Sequence, residues 1–355
     1  MKLLKWFSVM VVFMIFVLSI GIYILVSERN FDSESKALFT EKHPLPPNDG
    51  QNTSSLRAKY FGTSTILFND GAQSILIDGF FSRPSLSTIL FRDFEPLPTS
   101  DIDAILSDAG ISDLQTVAVV HSHHDHAMDS TCIANSQGAI LAGSPSTMNI
   151  SCKGEVVKEQ FVVDFRDSTE TSMTQVFGNY TLTFIKSKHS PTEGAAAELL
   201  GIGQPIHSLI TPPLGIRAYA EGQSYSILIE HDKGNVLVHA SAGFLPDVLL
   251  SELQDKRIDW LFLGVANIKE DYVNDYFAHT VAPARAKYIV PVHWDDFTRS
   301  SSETLYPARA IFGDFSLEIE LLANWLQKSE QQGRINKTHL VLMNMGDEVS
   351  ISASQ

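Results

Sequence analysis

The chain has 355 residues, 44% hydrophobic and 19% charged, so it is long and apolar enough to bury a substantial core and is no disordered tail. A formal net charge of −15, with no lysine or arginine run, makes nucleic acid a poor partner, because phosphates would be repelled. Two cysteines, Cys132 and Cys152, are too few for a disulfide framework or a zinc knuckle, and they leave open either one bridge in an oxidising compartment or two small buried hydrophobes.

Residues 1–5 form a short stub carrying Lys2 and Lys5. Residues 6–26, "WFSVMVVFMIFVLSIGIYILV", then run without a charge. A helix of that length spans a hydrocarbon core of about 30 Å, and the preceding lysines keep the N-terminus on the cytoplasmic side. The expectation is a single-pass transmembrane signal-anchor, with a cleaved signal peptide as the competing reading. Both readings place the remaining chain on the extracytoplasmic side, periplasmic or lumenal. Residues 27–55 are polar and contain Pro44, Pro46 and Pro47, so they read as a linker in which His43 is solvent-exposed. One domain is expected over 56–355.

Apolar runs bounded by Gly, Asp and Asn predict strands at "AKYFGTSTILFN", "SILIDG", "TVAVVHS", "GAILAGS", "YTLTFIKSK", "YSILIEH", "NVLVHAS", "DWLFLGV" and "KYIVPVHW". Helices are predicted at "SLSTILFRDF", 127–135, 144–150, "PDVLLSELQ", "AHTVAPARA" and "LEIELLANWLQKSEQQ". Strands that first meander and then alternate with helices suit an α/β sandwich of two sheets covered by helices. The polar chemistry falls just after strand ends, at His121, His189, Ser241 and His293.

The stretch "HSHHDHAMDS", residues 121–130, holds four histidines in six positions with Asp125 among them. Histidine offers a neutral nitrogen lone pair and aspartate an anionic oxygen, both suited to divalent zinc, iron or manganese. His121 and His123 can converge from a loop, while Asp125 and His126 begin a helix and face a neighbouring point, so one segment can serve two adjacent metals. A solvent-facing loop or a hydrogen-bonded core histidine, the usual reading of a lone His, does not account for this density.

His121-x-His123-x-Asp125-His126 after an apolar strand resembles the HxHxDH signature of the metallo-β-lactamase superfamily. "ILIDGF", "SKHSP" and "VPVHWDD" look like that superfamily's other site segments, so the resemblance covers nearly the whole 56–355 domain. It implies a four-layer αββα sandwich preceded by the transmembrane helix. It further implies two divalent ions, zinc foremost, with His121, His123 and His189 holding one and Asp125, His126 and His293 the other. Asp78 would receive a hydrogen bond from a ligand imidazole. Ser241 stands where the superfamily often has a bridging aspartate, which leaves a weaker second site or a single metal as the alternative. The flanking phrases look closer to the branch containing ascorbate-phosphate lactonase and N-acyl-phosphatidylethanolamine phospholipase D.

The resemblance implies a hydrolase acting on an ester, lactone, amide or phosphodiester through a water activated by the two cations, with Asp125 orienting that water and accepting its proton. Because ligand histidines must be neutral, occupancy and activity are expected to fall together below about pH 6. The substrate class is a small or lipid-like molecule. His124, His207, Arg217, Tyr219 and Trp294 are candidate pocket contacts, against plain exposure at the cleft mouth for His124 and ordinary packing for Trp294, with 190–222 as a substrate loop or lid; His239, on the same strand face as Ser241, is either a support behind the ligands or a satisfied core histidine. Asp295 and Asp296 read as turn caps. The alternatives are an iron-dependent oxidoreductase on the same scaffold and a non-catalytic binding module. Four N-x-S/T sequons, "NTS", "NIS", "NYT" and "NKT", matter only in a eukaryotic secretory route.

Overall fold

The computed structural model describes residues 2–46, 55–300 and 304–352. The end of the expected linker, 47–54, and with it the "NTS" sequon, lies outside the described residues.

In chain order the strands are β1 (Leu56–Tyr60), β2 (Ile66–Asn69), β3 (Ser74–Ile77), β4 (Leu114–Ala118), β5 (Ile140–Gly143), β6 (Gln160–Val162) and β7 (Ser172–Phe177). They continue with β8 (Tyr180–Lys186), β9 (Tyr225–Glu230), β10 (Val236–His239), β11 (Trp260–Gly264), β12 (Tyr288–Val292), β13 (His339–Leu340) and β14 (Glu348–Ile351). Two seven-stranded sheets result, ordered β14-β1-β2-β3-β4-β5-β6 and β13-β12-β11-β10-β9-β8-β7. Each begins as an antiparallel meander and changes to parallel pairing, at β3–β4 in the first sheet and β10–β11 in the second.

Period-two alternation explains the layering. Ile66, Phe68, Ile75, Ile77, Ala118 and Val120 belong to the core between the sheets, and the edge of Phe68 meets Phe262 of the opposite sheet with ring centroids 5.8 Å apart. Their neighbours Leu67, Leu76, Val117 and Val119 face outward and hold the helices Thr99–Asp108 and Ser130–Gln137. On the other side, the helices Glu270–Ala284 and Phe315–Gln331 add Tyr276, Phe277, Leu322 and Trp325 to the larger cluster. The expected αββα sandwich is therefore present. The expected first strand is instead the hairpin β1–β2, turning at 61–65, and the short or exposed strands β6, β7, β13 and β14 escaped the apolar pattern.

The N-terminal stretch differs more. Residues Lys2–Val26 form a helix, but among the described residues no helix is long and apolar enough to cross a membrane, so the span expected over 6–26 lacks support there. Residues 27–46 are no free tether. Ser33–Ala37 is helical, and Phe31 and Phe39 pack on Trp294 and Phe315 with centroids 5.5 to 6.0 Å apart. The mostly polar residues between the two aromatics leave no repeating apolar pattern, which is why the sequence reads as unstructured there. His43 is half-buried, and its carbonyl accepts from Leu342 N–H at 3.1 Å.

Cys132 and Cys152 are joined, with Cα atoms 5.0 Å apart, tying the helix that follows the histidine motif to the segment after Pro145–Met148. The bridge closes a loop of sequence separation 20, for which chain entropy gives about 3 kcal/mol. Changing both residues to alanine is expected to lower unfolding stability by about that amount. Urea melts with and without a reductant check it, and an unshifted midpoint would count against the bridge.

Candidate metal centre

The ligand-type side chains come from the ends of central strands. His121 follows β4, His189 follows β8, and His293 directly follows β12; His123 precedes the one-turn helix His124–Ala127 that carries Asp125 and His126. Three of the residues that shape this edge have left-handed backbones without being glycine: Thr63 (φ 51), Asp78 (φ 55) and His293 (φ 63). Such conformations cost energy and persist where surrounding bonds enforce them. Here His293 N–H donates to Thr63 O at 2.7 Å and Asp78 N–H to Ala118 O at 2.8 Å. Gly243 lies where a Cβ would strike the carbonyls of Lys188 and His189, so only glycine lets that loop approach the His189 strand end.

Six side chains fall into two triads, His121–His123–His189 and Asp125–His126–His293, and within each triad the ligand atoms lie within 4.8 Å of one another. Ring centroids of His121 and His126 are 3.9 Å apart, which links the triads. Backbone and carboxylate partners set the tautomers. His123 Nε2–H donates to Leu200 O at 2.9 Å, His189 Nδ1–H to Ser190 O at 2.9 Å, and His126 Nδ1–H to Asp78 Oδ2 at 2.8 Å. Each bond leaves the opposite ring nitrogen bare towards the cleft. Asp78, fully buried, also accepts from Ser64 Oγ at 2.5 Å and Val120 N at 2.8 Å, so its role behind His126 has a geometric basis.

The donor set fits divalent cations. His121 Nε2 and the bare His123 Nδ1 stand 3.1 Å apart, while the buried His121 Nδ1 has no partner. If His121 carries its proton on Nδ1, two lone pairs face each other; if on Nε2, a bare buried nitrogen is stranded. A cation between the facing nitrogens removes the first conflict and suits five imidazoles with one carboxylate. Burial, then the neighbouring imidazoles, hold His121 and His123 well below the usual histidine range, and burial lowers His189. Burial alone would raise Asp125, but His126, His293 and His124 hold its carboxyl well below the usual carboxylate range. For His293 burial acts the other way, against protonation, yet Asp125 Oδ2, 3.2 Å from its Nε2, leaves its pKa raised. The ligand imidazoles on the first triad therefore stay neutral to lower pH than the value near 6 expected from unperturbed histidines.

The triads open into a cavity of about 280 Å³. Ser241 lines it and accepts from Ser190 N–H at 2.9 Å, steadying the residue beside His189. His124 lines it as well but does not stand exposed at its mouth: its ring is 3% exposed and packs among Phe80, Phe94 and Phe297, and burial lowers its pKa. Five of the candidate residues lie away from the cleft or the ligands. Trp294 is fully buried and faces Phe31 and Phe315, away from the cleft. Tyr219 is buried, stacked on Phe94, and does not line the cavity. His207 and Arg217 are exposed and line none of it. His239 touches no ligand: Ser226 Oγ lies 2.7 Å from its Nδ1 and Tyr276 packs on its ring. The expected substrate loop contributes mainly through Gly194–Leu200, a helix without buried residues whose last carbonyl holds His123. Sequence reasoning missed the apolar wall beside the histidines, although "SLSTILF" is an apolar helix directly after the Asp78 turn.

Burial lowers His239 to about 4. Above pH 6.5 neither folded nor unfolded chain binds this proton; as pH falls from 6.5 towards 4 the unfolded chain takes it up and the fold refuses it. Stability is then lost, by on the order of 3 kcal/mol at pH 4. Urea midpoints at neutral and acid pH are expected to fall less in His239→Gln than in wild type; parallel falls would contradict it.

Fold and site together define a metallo-β-lactamase-type αββα sandwich carrying a candidate dinuclear metal centre. No family model matches the chain, and no curated protein matches it. Among solved structures it is similar to Igni18, a metallo hydrolase from the hyperthermophilic archaeon Ignicoccus hospitalis KIN4/I, at 15% identity and a TM-score of 0.51, over 84% of this chain and 100% of that one. At that identity the likeness shows the fold. The metallo-beta-lactamase fold protein YhfI from Bacillus subtilis matches at 14% identity and a TM-score of 0.46, over 84% of this chain and 99% of that one. The diiron β-hydroxylase CmlA from Streptomyces venezuelae matches at 12% and 0.47, over 91% of this chain and 58% of its own.

Proposed function

We propose that the chain is an exported, membrane-tethered hydrolase that uses two divalent metal ions, zinc foremost, on an ester, lactone, amide or phosphodiester. The observation that carries this is the convergence of two ligand triads whose ring nitrogens are oriented from behind. When bound, the cations supply an acidified water and polarise the bond to be broken. The remaining work falls to the chain. His121, His123, His189, His126 and His293 present ring nitrogens from a rigid sheet edge, and burial keeps the first three neutral. Asp125 Oδ2, 3.2 Å from His293 Nε2 and 3.8 Å from His126 Nε2, is anionic and placed to hold a proton passed from the nucleophile. Asp78 and Ser64 keep His126 in one orientation, and Leu200 O does the same for His123. The apolar wall keeps bulk water from these groups.

Export and tethering have separate support. The Cys132–Cys152 bridge suits an oxidising compartment. Along Lys2–Val26 the apolar side chains described, from Trp6 (75% exposed) to Leu25 (45%), lack cover from the domain. The test is elemental analysis of the purified full chain together with a screen of chromogenic esters, lactones, phosphodiesters and β-lactams. Two zinc ions per chain and hydrolysis in one substrate class are expected. Bound iron with oxygen consumption, or a metal-free chain without hydrolysis, would overturn the reading.

A further inference from the structure

We propose that the substrate is an amphiphile with one unbranched apolar chain, which lies along the hydrophobic wall of the cleft while its polar head carries the bond presented to the histidines. The placement of the head rests on the hydrolase reading above; the placement of the chain does not. Besides the two triads, the cavity is lined by Leu86, Ile89 and Leu90 from the helix Leu86–Phe91, Leu199 and Leu200 from Gly194–Leu200, and Phe312. Among the described residues no lysine or arginine lines it, and Asp295 at its base is already paired with Arg83. Away from the metal-type triads, no basic side chain is therefore there to hold an anionic group, whereas the apolar side chains offer an alkyl chain surface to bury.

That surface does not stop at the mouth. Leu90 is 46% exposed, Ile311 50%, and Phe91, in the same helix as Leu90, 81%. Single exposed apolar residues are ordinary, but Leu90 and Ile311 also line the cleft, so its apolar lining reaches solvent. The helix Lys2–Val26 ends at this rim, where Ile311 N–H donates to Leu25 O at 3.1 Å and Arg309 Nη1 to Val26 O at 2.5 Å. The end of that helix is thus bonded to the segment that lines the cleft.

The experiment measures binding, separately from turnover. Full-length protein is titrated with dansyl-aminoundecanoic acid, which is then displaced by hexanoic, octanoic and decanoic amides. Displacement is expected to tighten by about fourfold per added methylene, the value of burying each one. Leu199→Asp, on a helix without buried residues, is expected to weaken probe binding at least tenfold and flatten the series; Ile311→Asp at the exposed rim is the second variant if the first misfolds. Equal displacement by all three amides, or binding indifferent to both changes, overturns the proposal. Probe offered from phosphatidylcholine vesicles or from buffer separates the sources: faster loading from vesicles assigns a lipid-phase amphiphile, equal loading a soluble one, and both support the proposed chemistry. Chain-length-dependent binding with no hydrolysis would sink the hydrolase reading alone, whereas hydrolysis with no chain-length dependence would sink this one alone.

Discussion

Replacing His123 by alanine is expected to cut hydrolysis by at least about a hundredfold, the upper end of the roughly 10–100-fold that altering even the outer partners of metal ligands costs. The same change is expected to lower bound metal without lowering the stability of the metal-free protein. The reasoning starts from the crowding. Burial, and after it His189, drives His123 well below its ordinary pKa; His121 is driven down by burial and then by His126, His123 and His189. The metal-free fold thus keeps these imidazoles neutral and packed, with His121 Nε2 and His123 Nδ1 3.1 Å apart and His121 Nδ1 unpartnered. Alanine relieves that crowding, so the metal-free variant should unfold no earlier than metal-free wild type. Bound ions reverse the order, because a ligand at a hundred times its Kd stabilises the fold by about 2.7 kcal/mol, and the variant forfeits part of that. Calorimetry with and without a chelator, beside elemental analysis, checks both signs. Full metal content and an unchanged rate in His123→Ala would remove His123 from the site.

Legibility followed from what a one-dimensional pattern encodes. The alternation of Ile66, Leu67 and Phe68, and of Ile75, Leu76 and Ile77, announced strands with both faces covered, and the structure buries all six. The dense 121–126 segment announced a metal-type site because its members are neighbours in sequence. Their strand-end positions singled out His189 and His293, but their role as ligands came only through the family resemblance, since nothing local pairs two histidines more than a hundred residues apart with the 121–126 segment. Trp294 failed for a simple reason: consecutive residues leaving a strand face opposite sides, so if His293 faces the cleft its successor does not. Ser64, the Leu200 carbonyl and the apolar wall were invisible because hydroxyls, backbone oxygens and leucines occur everywhere, and only three-dimensional placement distinguishes these. The docking of Phe31 and Phe39 on Trp294 was hidden in the same way.

The other large effect is expected at Arg83. Its Nη2 donates to Asp295 Oδ2 at 2.7 Å, with the two side chains 4% and 0% exposed, and also to Phe61 O at 3.2 Å, while Nη1 donates to Asp296 O at 3.3 Å. Asp295 Oδ1 accepts from Thr63 N–H at 2.7 Å, so the pair locks the left-handed Thr63 turn whose carbonyl in turn holds His293 N–H. The sequence reading of Asp295 as a turn cap missed this pairing; Asp296 does cap locally, accepting from Thr298 N–H at 3.0 Å, and also takes Arg309 Nε at 2.9 Å. Arg83→Met keeps much of the side-chain volume but leaves Asp295 charged, buried and without its counter-ion, which costs about 3–5 kcal/mol when one partner of a buried pair is removed. Adding Asp295→Asn in that background takes away the stranded charge and should return most of the loss, since the amide oxygen can still accept from Thr63. Urea unfolding of the wild type, the two single variants and the double variant measures the coupling. A loss below about 1 kcal/mol in Arg83→Met, in the range of exposed pairs, would mean that water reaches Asp295 and that the backbone of His293 is held by other means.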